Sequence, residues 1–146
     1  MNDNNNIKAT IDKVNAILKK NFPGHLSFGD GTFTITRGSS SIMVSVKDFV
    51  RSETIIECVA NVVTGANVTP DLMKFLLRKN VELHFGAFGL LFDDTITYSH
   101  SITGSNLDEN ELITTVSSVG FIADYYDDVI VEMAGGKRAA DAGIEL

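Results

Sequence analysis

The chain has 146 residues, of which 44% are hydrophobic and 21% charged, and its formal net charge is −7 at pH 7. This length and balance are typical of one folded domain and argue against a disordered chain. The acidic excess, with no face that collects lysine or arginine, argues against nucleic acid and against an anionic membrane surface, so neither is expected as a partner.

Cysteine use and the lack of long apolar runs predict a cytoplasmic protein. Cys58 is the only cysteine in the sequence, which excludes an intrachain disulfide. Residues 1–6 are polar and no apolar stretch follows them, in contrast to a secretory signal peptide. No run approaches the ~18 apolar residues of a membrane-spanning helix.

The first half of the chain predicts one helix followed by an antiparallel series of strands. Hydrophobic residues recur at helical spacing from Ile7 to Phe22, and Pro23-Gly24 ends this helix. A strand too short to count with certainty precedes a turn at residues 29–31. The longer strands are marked by alternating or β-branched residues. They are predicted at 32–36, 42–47 and 54–63.

The second half predicts a helix, a hairpin and a long last helix. Thr69 has the place of an N-cap before Pro70, and the helix that follows ends near Asn80. Strands at 83–92 and 95–103 form the hairpin. Asp108 begins the last helix, whose apolar seam has strict helical spacing. The seam consists of Leu112, Val116, Val119, Ala123, Tyr126, Ile130 and Met133. The tail after Gly136 is predicted to be frayed.

The elements occur in the order α-β-β-β(β)-α-β-β-α. Because short turns join most of the strands, this order predicts an α+β fold with a mostly antiparallel sheet and flanking helices. No repeat or linker-like stretch interrupts the chain. One domain is therefore expected over residues 1–146, with an ordered core of about 5–134.

Two parts of the sequence have a pattern in common with a known family. One is residues 76–90 (LLRKNVELHFGAFGL), and the other is residues 107–112 (LDENEL) followed by 123–128 (ADYYDD). Together they resemble the bacterial YbjN-type proteins. The element order also agrees over residues 5–133. The resemblance implies the fold of type III secretion chaperones. It also implies a sensory-transduction regulator or a peptide-binding, chaperone-like domain.

The hairpin is predicted to carry a partner-binding face. A two-residue loop would pair Phe92 with Thr95. On that register the core face carries Leu83, Phe85, Ala87 and Leu91 beside Ile96, Tyr98, His100 and Ile102. The opposite face carries Phe88, Leu90 and Phe92 beside Thr95, Thr97, Ser99 and Ser101. This second face mixes large apolar groups with hydroxyls. Exposed, it would form a contact surface with Phe88 and Phe92 as anchors. The alternative is that a helix covers it.

An acidic cluster on the last helix is a second candidate site. Asp124, Asp127 and Asp128 lie three or four residues apart or adjacent, and carboxylates at such spacing share a helix face. We interpret them as a solvated acidic face that docks a basic segment of a partner. The alternative is general acid–base chemistry or a divalent cation.

The remaining candidate residues favour structural roles. His84 and His100 would point to opposite faces of the hairpin, so they are not expected to share a metal. Cys58 has apolar neighbours, which favours core packing over a nucleophile. Gly86 and Gly89 indicate a bulge or a close backbone approach. No glycine motif for a phosphate is present, and no cofactor is expected.

These observations together predict a non-enzymatic, homodimeric module that binds a protein or peptide segment. Affinity would come from apolar anchors or from pairing of a partner strand with a sheet edge. The alternatives are a small-molecule sensor and a metal-dependent enzyme that uses residues 124–128.

Overall fold

The structure, a computed structural model, describes residues 3–142 and has the predicted order of elements up to the end of the last long helix. The α-helices are α1 (Asp3–Asn21), α2 (Pro70–Glu82), α3 (Glu109–Ala134) and the short α4 (Ala139–Ala142), and a 3-10 turn lies at Val50–Ser52. The strands are β1 (Leu26–Ser27), β2 (Thr32–Arg37), β3 (Ser40–Asp48), β4 (Thr54–Thr64), β5 (Ala87–Leu90), β6 (Ile96–Thr103) and β7 (Lys137–Arg138).

All strand pairs in this part of the chain are antiparallel. The sheet has the order β1-β2-β3-β4-β6-β5, and β7 pairs with the end of β4. Strands β1 to β4 are neighbours in sequence and in space, because turns or short loops join them. Helix α2 interrupts this series, so β5 lies at the far edge and β6 returns beside β4. The predicted α+β fold is confirmed.

One face of the sheet forms the core, and the other is rich in hydroxyl groups. Helices α1 and α3 pack on the core face, and α2 packs against α3 and β5. Strand alternation produces this division. The buried apolar positions of the strands include Phe33, Ile35, Ile42, Val44, Val46, Ile56, Cys58, Ala60, Phe88, Ile96 and Tyr98. None of the helices in residues 3–142 is long and apolar enough to cross a membrane.

Both predicted helix caps are present. The Thr69 side chain accepts a hydrogen bond from the Leu72 N–H at 3.2 Å, and the Asp108 carboxylate accepts one from the Glu111 N–H at 2.8 Å. Each cap satisfies an N–H group that has no partner inside the helix. The residues at which α2 and α3 begin are therefore determined by side chains within three residues of each start.

The predicted register of the β5–β6 hairpin is wrong by one residue. Phe88 pairs with Tyr98, and the Leu91 N–H donates to the Thr95 carbonyl at 2.9 Å. The loop thus has three residues, with Asp94 in the left-handed region at φ 65°, as is usual for three-residue hairpin loops. Because a shift of one residue reverses the faces of a strand, Phe88 points to the core and not away from it.

Strand β5 is also shorter than predicted, and it contains no bulge. Residues 83–86 form the connection from α2, and only Ala87–Leu90 pairs with β6. The sheet has its register shift in β4, between Asn61 and Val63. Gly89 lies within the regular part of β5, close to the Thr97 side chain.

The tail after Gly136 is not frayed as far as the structure describes it. Lys137 and Arg138 pair with Thr64 and Val63, and helix α4 follows. The β3–β4 pairs end at Ile42 and Ala60, so the last residues of β4 have a free edge on that side. Strand β7 fills this edge, which the local sequence did not reveal. Residues 143–146 of the predicted tail lie outside the described residues.

Candidate functional site

The corrected register divides the predicted partner-binding residues between core and surface. Phe88, Thr95 and Thr97 are buried, and Ser99 is half-buried. The Phe88 ring packs edge-on against Tyr98 and Tyr126, at centroid distances of 4.9 Å and 5.5 Å. Leu90 and Phe92 are exposed, and Phe92 projects fully into solvent. The predicted set therefore does not form one continuous surface. Tyr126 of α3 covers Phe88, so the alternative of a helix over this position holds for Phe88.

A different apolar surface lies between α3 and the connection that precedes β5. It is a groove of about 190 Å³. The groove is lined by Glu82, Leu83, His84, Phe85, Tyr98, Ser118, Phe121 and Ile122. We call it the aromatic groove, because rings from three separate segments line it. Phe85 and Phe121 remain about half exposed at its rim.

The backbone at Gly86 shapes one wall of the aromatic groove. Gly86 has a φ of 123°, and a Cβ atom there would lie 2.7 Å from the Ser99 carbonyl oxygen and 2.7 Å from the Tyr98 ring. Only glycine fits such a conformation and approach. The buried Tyr98 donates a hydrogen bond from its hydroxyl to the Phe85 carbonyl at 3.2 Å. The connection is thus fixed directly over β6, and Phe85 is left facing outward.

Helix α3 supplies an outward-facing aromatic pair beside the groove. Phe121 and Tyr125 are 56% and 59% exposed, and their rings stack at 6.3 Å with an interplanar angle of 21°. Tyr125 also contacts Tyr126, whose ring packs on Phe88. Phe121 and Tyr125 lie off the apolar seam of α3. Large aromatic residues outside the apolar seam of a helix indicate an exposed contact surface. The sequence analysis followed only the seam and therefore missed this pair.

The outer edge of β5 is partly occupied by a side chain of α2. The Phe88 N–H donates to Asn80 Oδ1 at 2.7 Å, and Asn80 Nδ2 donates to the Phe88 carbonyl at 3.3 Å. The carboxamide thereby pairs with the strand as a backbone would, which limits edge-to-edge pairing there. On the exposed side of α2, Leu77 and Val81 lie one turn apart.

The acidic cluster on α3 is not a solvated face. Asp127 is buried in the seam between Ala123 and Ile130, and Asp124 accepts the Ser39 N–H at 2.8 Å. The Ser39 hydroxyl is hydrogen-bonded to both carboxyl groups. Of the three aspartates, Asp128 alone is exposed. The docking interpretation is therefore wrong for Asp124 and Asp127, because both contact the β2–β3 turn.

The surroundings of these two carboxyl groups shift their pKa values in opposite directions. Hydrogen bonds from Ser39 lower the pKa of Asp124, while burial raises the pKa of Asp127. Among residues 3–142, no group of three or more histidine, cysteine, aspartate or glutamate side chains is placed to hold a metal ion.

The surroundings of the single cysteine and of the two histidines near the hairpin show no catalytic arrangement in the described part of the chain. Cys58 is fully buried, and burial raises the pKa of its thiol to about 12, so the thiolate is not available at neutral pH. His100 pairs with Cys58 across β4 and β6. His84 lies in the bend before β5 and lines the aromatic groove.

Comparison with known proteins connects this architecture to a family. Residues 8–142 match the model of TY-Chap1, described as "T3SS (YopN, CesT) and YbjN peptide-binding chaperone 1". No curated protein matches the chain.

Two solved structures share the fold. The first is described as "Crystal Structure of the ExsC-ExsE Complex", with a TM-score of 0.60, 16% identity, and coverage of 82% of this chain and 95% of the other. The second is "Structure of the HopA1-SchA Chaperone-Effector Complex", with a TM-score of 0.61, 10% identity, and coverage of 88% and 98%. The predicted resemblance is confirmed, and the chain belongs to the TY-Chap1 family of T3SS and YbjN peptide-binding chaperones.

Proposed function

We propose that this chain is a non-enzymatic binding module that holds a segment of a partner protein in the aromatic groove. The observation that carries the proposal is the apolar groove between Phe85 and Phe121, bordered by the exposed Phe121–Tyr125 pair. Exposed aromatics grouped around a groove mark interaction sites more often than isolated ones do. The family description and the partner complexes of the two similar structures support this proposal.

The dimensions of the groove favour side-chain anchors over a free small molecule. Its volume of about 190 Å³ is smaller than the ~300–1,000 Å³ of typical small-ligand pockets. One or two apolar side chains of a peptide would fill it. Each fully buried large apolar side chain contributes about 1.5–3 kcal/mol before the cost of ordering the peptide.

Substitution of Phe121 by aspartate tests the groove. Because Phe121 is 56% exposed, the variant should stay folded, with a stability change of about 0.5 kcal/mol. It should bind the partner at least about tenfold more weakly, since a charge replaces an anchor contact. A partner captured from the native cell would be reduced to its shortest binding peptide. The dissociation constant of that peptide would then be measured by calorimetry.

Phe49→Asp is the matched control, because Phe49 has the same 56% exposure and does not line the groove. It should bind the peptide as the wild type does. Equal affinity of Phe121→Asp and wild type would remove the groove from the binding site. Equal weakening in both variants would indicate a nonspecific effect of charge.

We also propose that the module is a homodimer that associates through the exposed side of α2. Leu77 and Val81 are 62% and 88% exposed, which is unfavourable for apolar side chains left in water. Asn80 already pairs with the β5 edge at Phe88, so contact through helix side chains is more favourable there than strand pairing.

The dimer is tested by sedimentation equilibrium of the wild type and of Leu77→Asp. The wild type should sediment at twice the monomer mass at tens of micromolar, and Leu77→Asp as a monomer, because a charge would be buried in the interface. Val50→Asp, at a residue of similar exposure (64%) on the β3–β4 connection, should remain dimeric. A monomeric wild type would disprove the dimer, and a dimeric Leu77→Asp would disprove the surface.

A further inference from the structure

The turn between β2 and β3 is attached to α3 by one hydroxyl group that contacts two carboxyl groups. Ser39 Oγ is hydrogen-bonded to Asp124 and to Asp127, and the Ser39 N–H donates to Asp124 Oδ1 at 2.8 Å. Gly38 packs so closely that a Cβ atom there would lie 2.5 Å from Asp124 Oδ2. No buried side-chain nitrogen or oxygen in the described part of the chain lacks a partner, so this contact is part of a satisfied network.

The number of hydrogens in this contact does not allow both carboxyl groups to be ionised. A serine hydroxyl has one hydrogen to donate, and an ionised carboxylate only accepts. If Asp124 and Asp127 were both ionised, one of the two oxygen–oxygen contacts of Ser39 would contain no hydrogen. The second contact therefore requires a proton on one carboxyl group, which then donates to a lone pair of Ser39 Oγ.

The surroundings assign this proton to Asp127. Asp127 is 2% exposed, and its Oδ1 accepts the Asp128 N–H at 2.6 Å, which leaves Oδ2 to face Ser39. Asp124 receives both the backbone N–H and the hydroxyl of Ser39, an arrangement that favours the ionised form. The opposite pKa shifts of the two groups agree with this assignment.

The other charged groups near the contact do not reverse the assignment. The positive charge of Arg37, at the end of β2, lowers the pKa of Asp124. Arg138, in β7, favours ionisation of both aspartates, but its guanidinium is hydrogen-bonded to Asp141 in α4 at 2.8 Å. It also lies 3.8 Å from the exposed Asp128, whose negative charge opposes ionisation of Asp127.

We infer that Asp127 is protonated in the folded protein and that its deprotonation, as pH rises, weakens the attachment of the β2–β3 turn to α3. This is a pH-sensitive latch between a hairpin of the sheet and the helix that carries Phe121 and Tyr125. A group whose pKa is raised by folding stabilises the fold fully below its unfolded pKa, here the ordinary 3.8 of aspartate. That stabilisation is lost as pH rises through the folded pKa. Asp124, with its lowered pKa, contributes in the opposite sense and loses its contribution as pH falls.

The direct test is a titration of the side-chain carboxyl ¹³C shifts of the wild-type protein by NMR. Asp127 should titrate above 3.8 and Asp124 below it. The Ser39 amide should exchange faster above the Asp127 midpoint, after correction for intrinsic base catalysis. An Asp127 midpoint at or below 3.8 would overturn the inference, and so would Ser39 exchange that does not change across the midpoint.

Asp127→Asn provides a second measurement. Asparagine places an N–H donor opposite Ser39 Oγ at every pH and keeps an oxygen for the Asp128 N–H. Relative to this variant, the urea midpoint of the wild type should fall as pH rises above the ordinary aspartate range. Asp128→Asn should keep this fall but move it to lower pH, because it removes a negative charge that opposes ionisation of Asp127. Parallel profiles of the wild type and Asp127→Asn would overturn the latch, and the NMR titration decides the question if the variant does not fold.

Discussion

Replacement of Phe88 by aspartate is expected to unfold the protein. The Phe88 ring lies in the core against Tyr98 and Tyr126. The substitution removes a buried aromatic side chain, at a cost of about 3–5 kcal/mol for its loss alone. It also buries a carboxylate without a partner, which adds several kcal/mol. The sum is comparable to the ~5–15 kcal/mol that stabilises an entire domain. Far-UV circular dichroism and urea melts would measure the loss.

Phe92→Asp is the control, four residues further along the same hairpin. Because Phe92 is fully exposed, this variant should stay within about 0.5 kcal/mol of the wild type. A Phe88→Asp variant that melts like the wild type would contradict the register found here. It would instead support the outward-facing Phe88 that a two-residue loop predicts.

Gly86→Ala is expected to have the second largest effect. The new Cβ atom would meet the Ser99 carbonyl and the Tyr98 ring at 2.7 Å, on a residue with φ 123°. Backbone strain costs about 1–3 kcal/mol, and overpacking costs about 1–3 kcal/mol more. Since the clash is with β6 backbone as well as with a buried ring, little relaxation is available. The free energy of unfolding would be measured in urea.

Gly24→Ala separates the two contributions. Gly24 also has a positive φ, 92°, but no atom lies within 4 Å of a Cβ placed there. It should show the backbone cost alone, and the difference between the variants measures the clash beneath the aromatic groove. Equal losses for the two variants would show that Gly86 is required only for its backbone conformation.

The helices and most strands follow from local rules and could be predicted. The start of α2 at Thr69-Pro70 and the start of α3 at Asp108 depend on side chains that bind the first free N–H groups of the same helix. The alternation of apolar and polar residues in β2 and β3 indicates which face of each strand packs in the core. The family resemblance, carried by residues 76–90, 107–112 and 123–128, agreed with the match over residues 8–142.

The candidate site depended on features that local patterns do not report. One extra loop residue, with Asp94 in the left-handed conformation, reversed the faces of β5 and moved Phe88 into the core. Asp127 occupies a seam position because Ser39, far away in sequence, provides its partner. The free end of β4 explains why residues 137–138 form a strand.

The sequence by itself determined the α+β class, the order of elements through α3 and most of the buried stripe of each helix, because periodicity and capping involve residues close together along the chain. The tertiary structure decided the register of β5 and β6, the partner of the buried Asp127 and the position of Phe85 opposite Phe121. These properties arise when distant segments meet. Loop geometry, steric fit at Gly86 and the need to satisfy each buried polar group then select one arrangement among several with the same hydrophobic pattern.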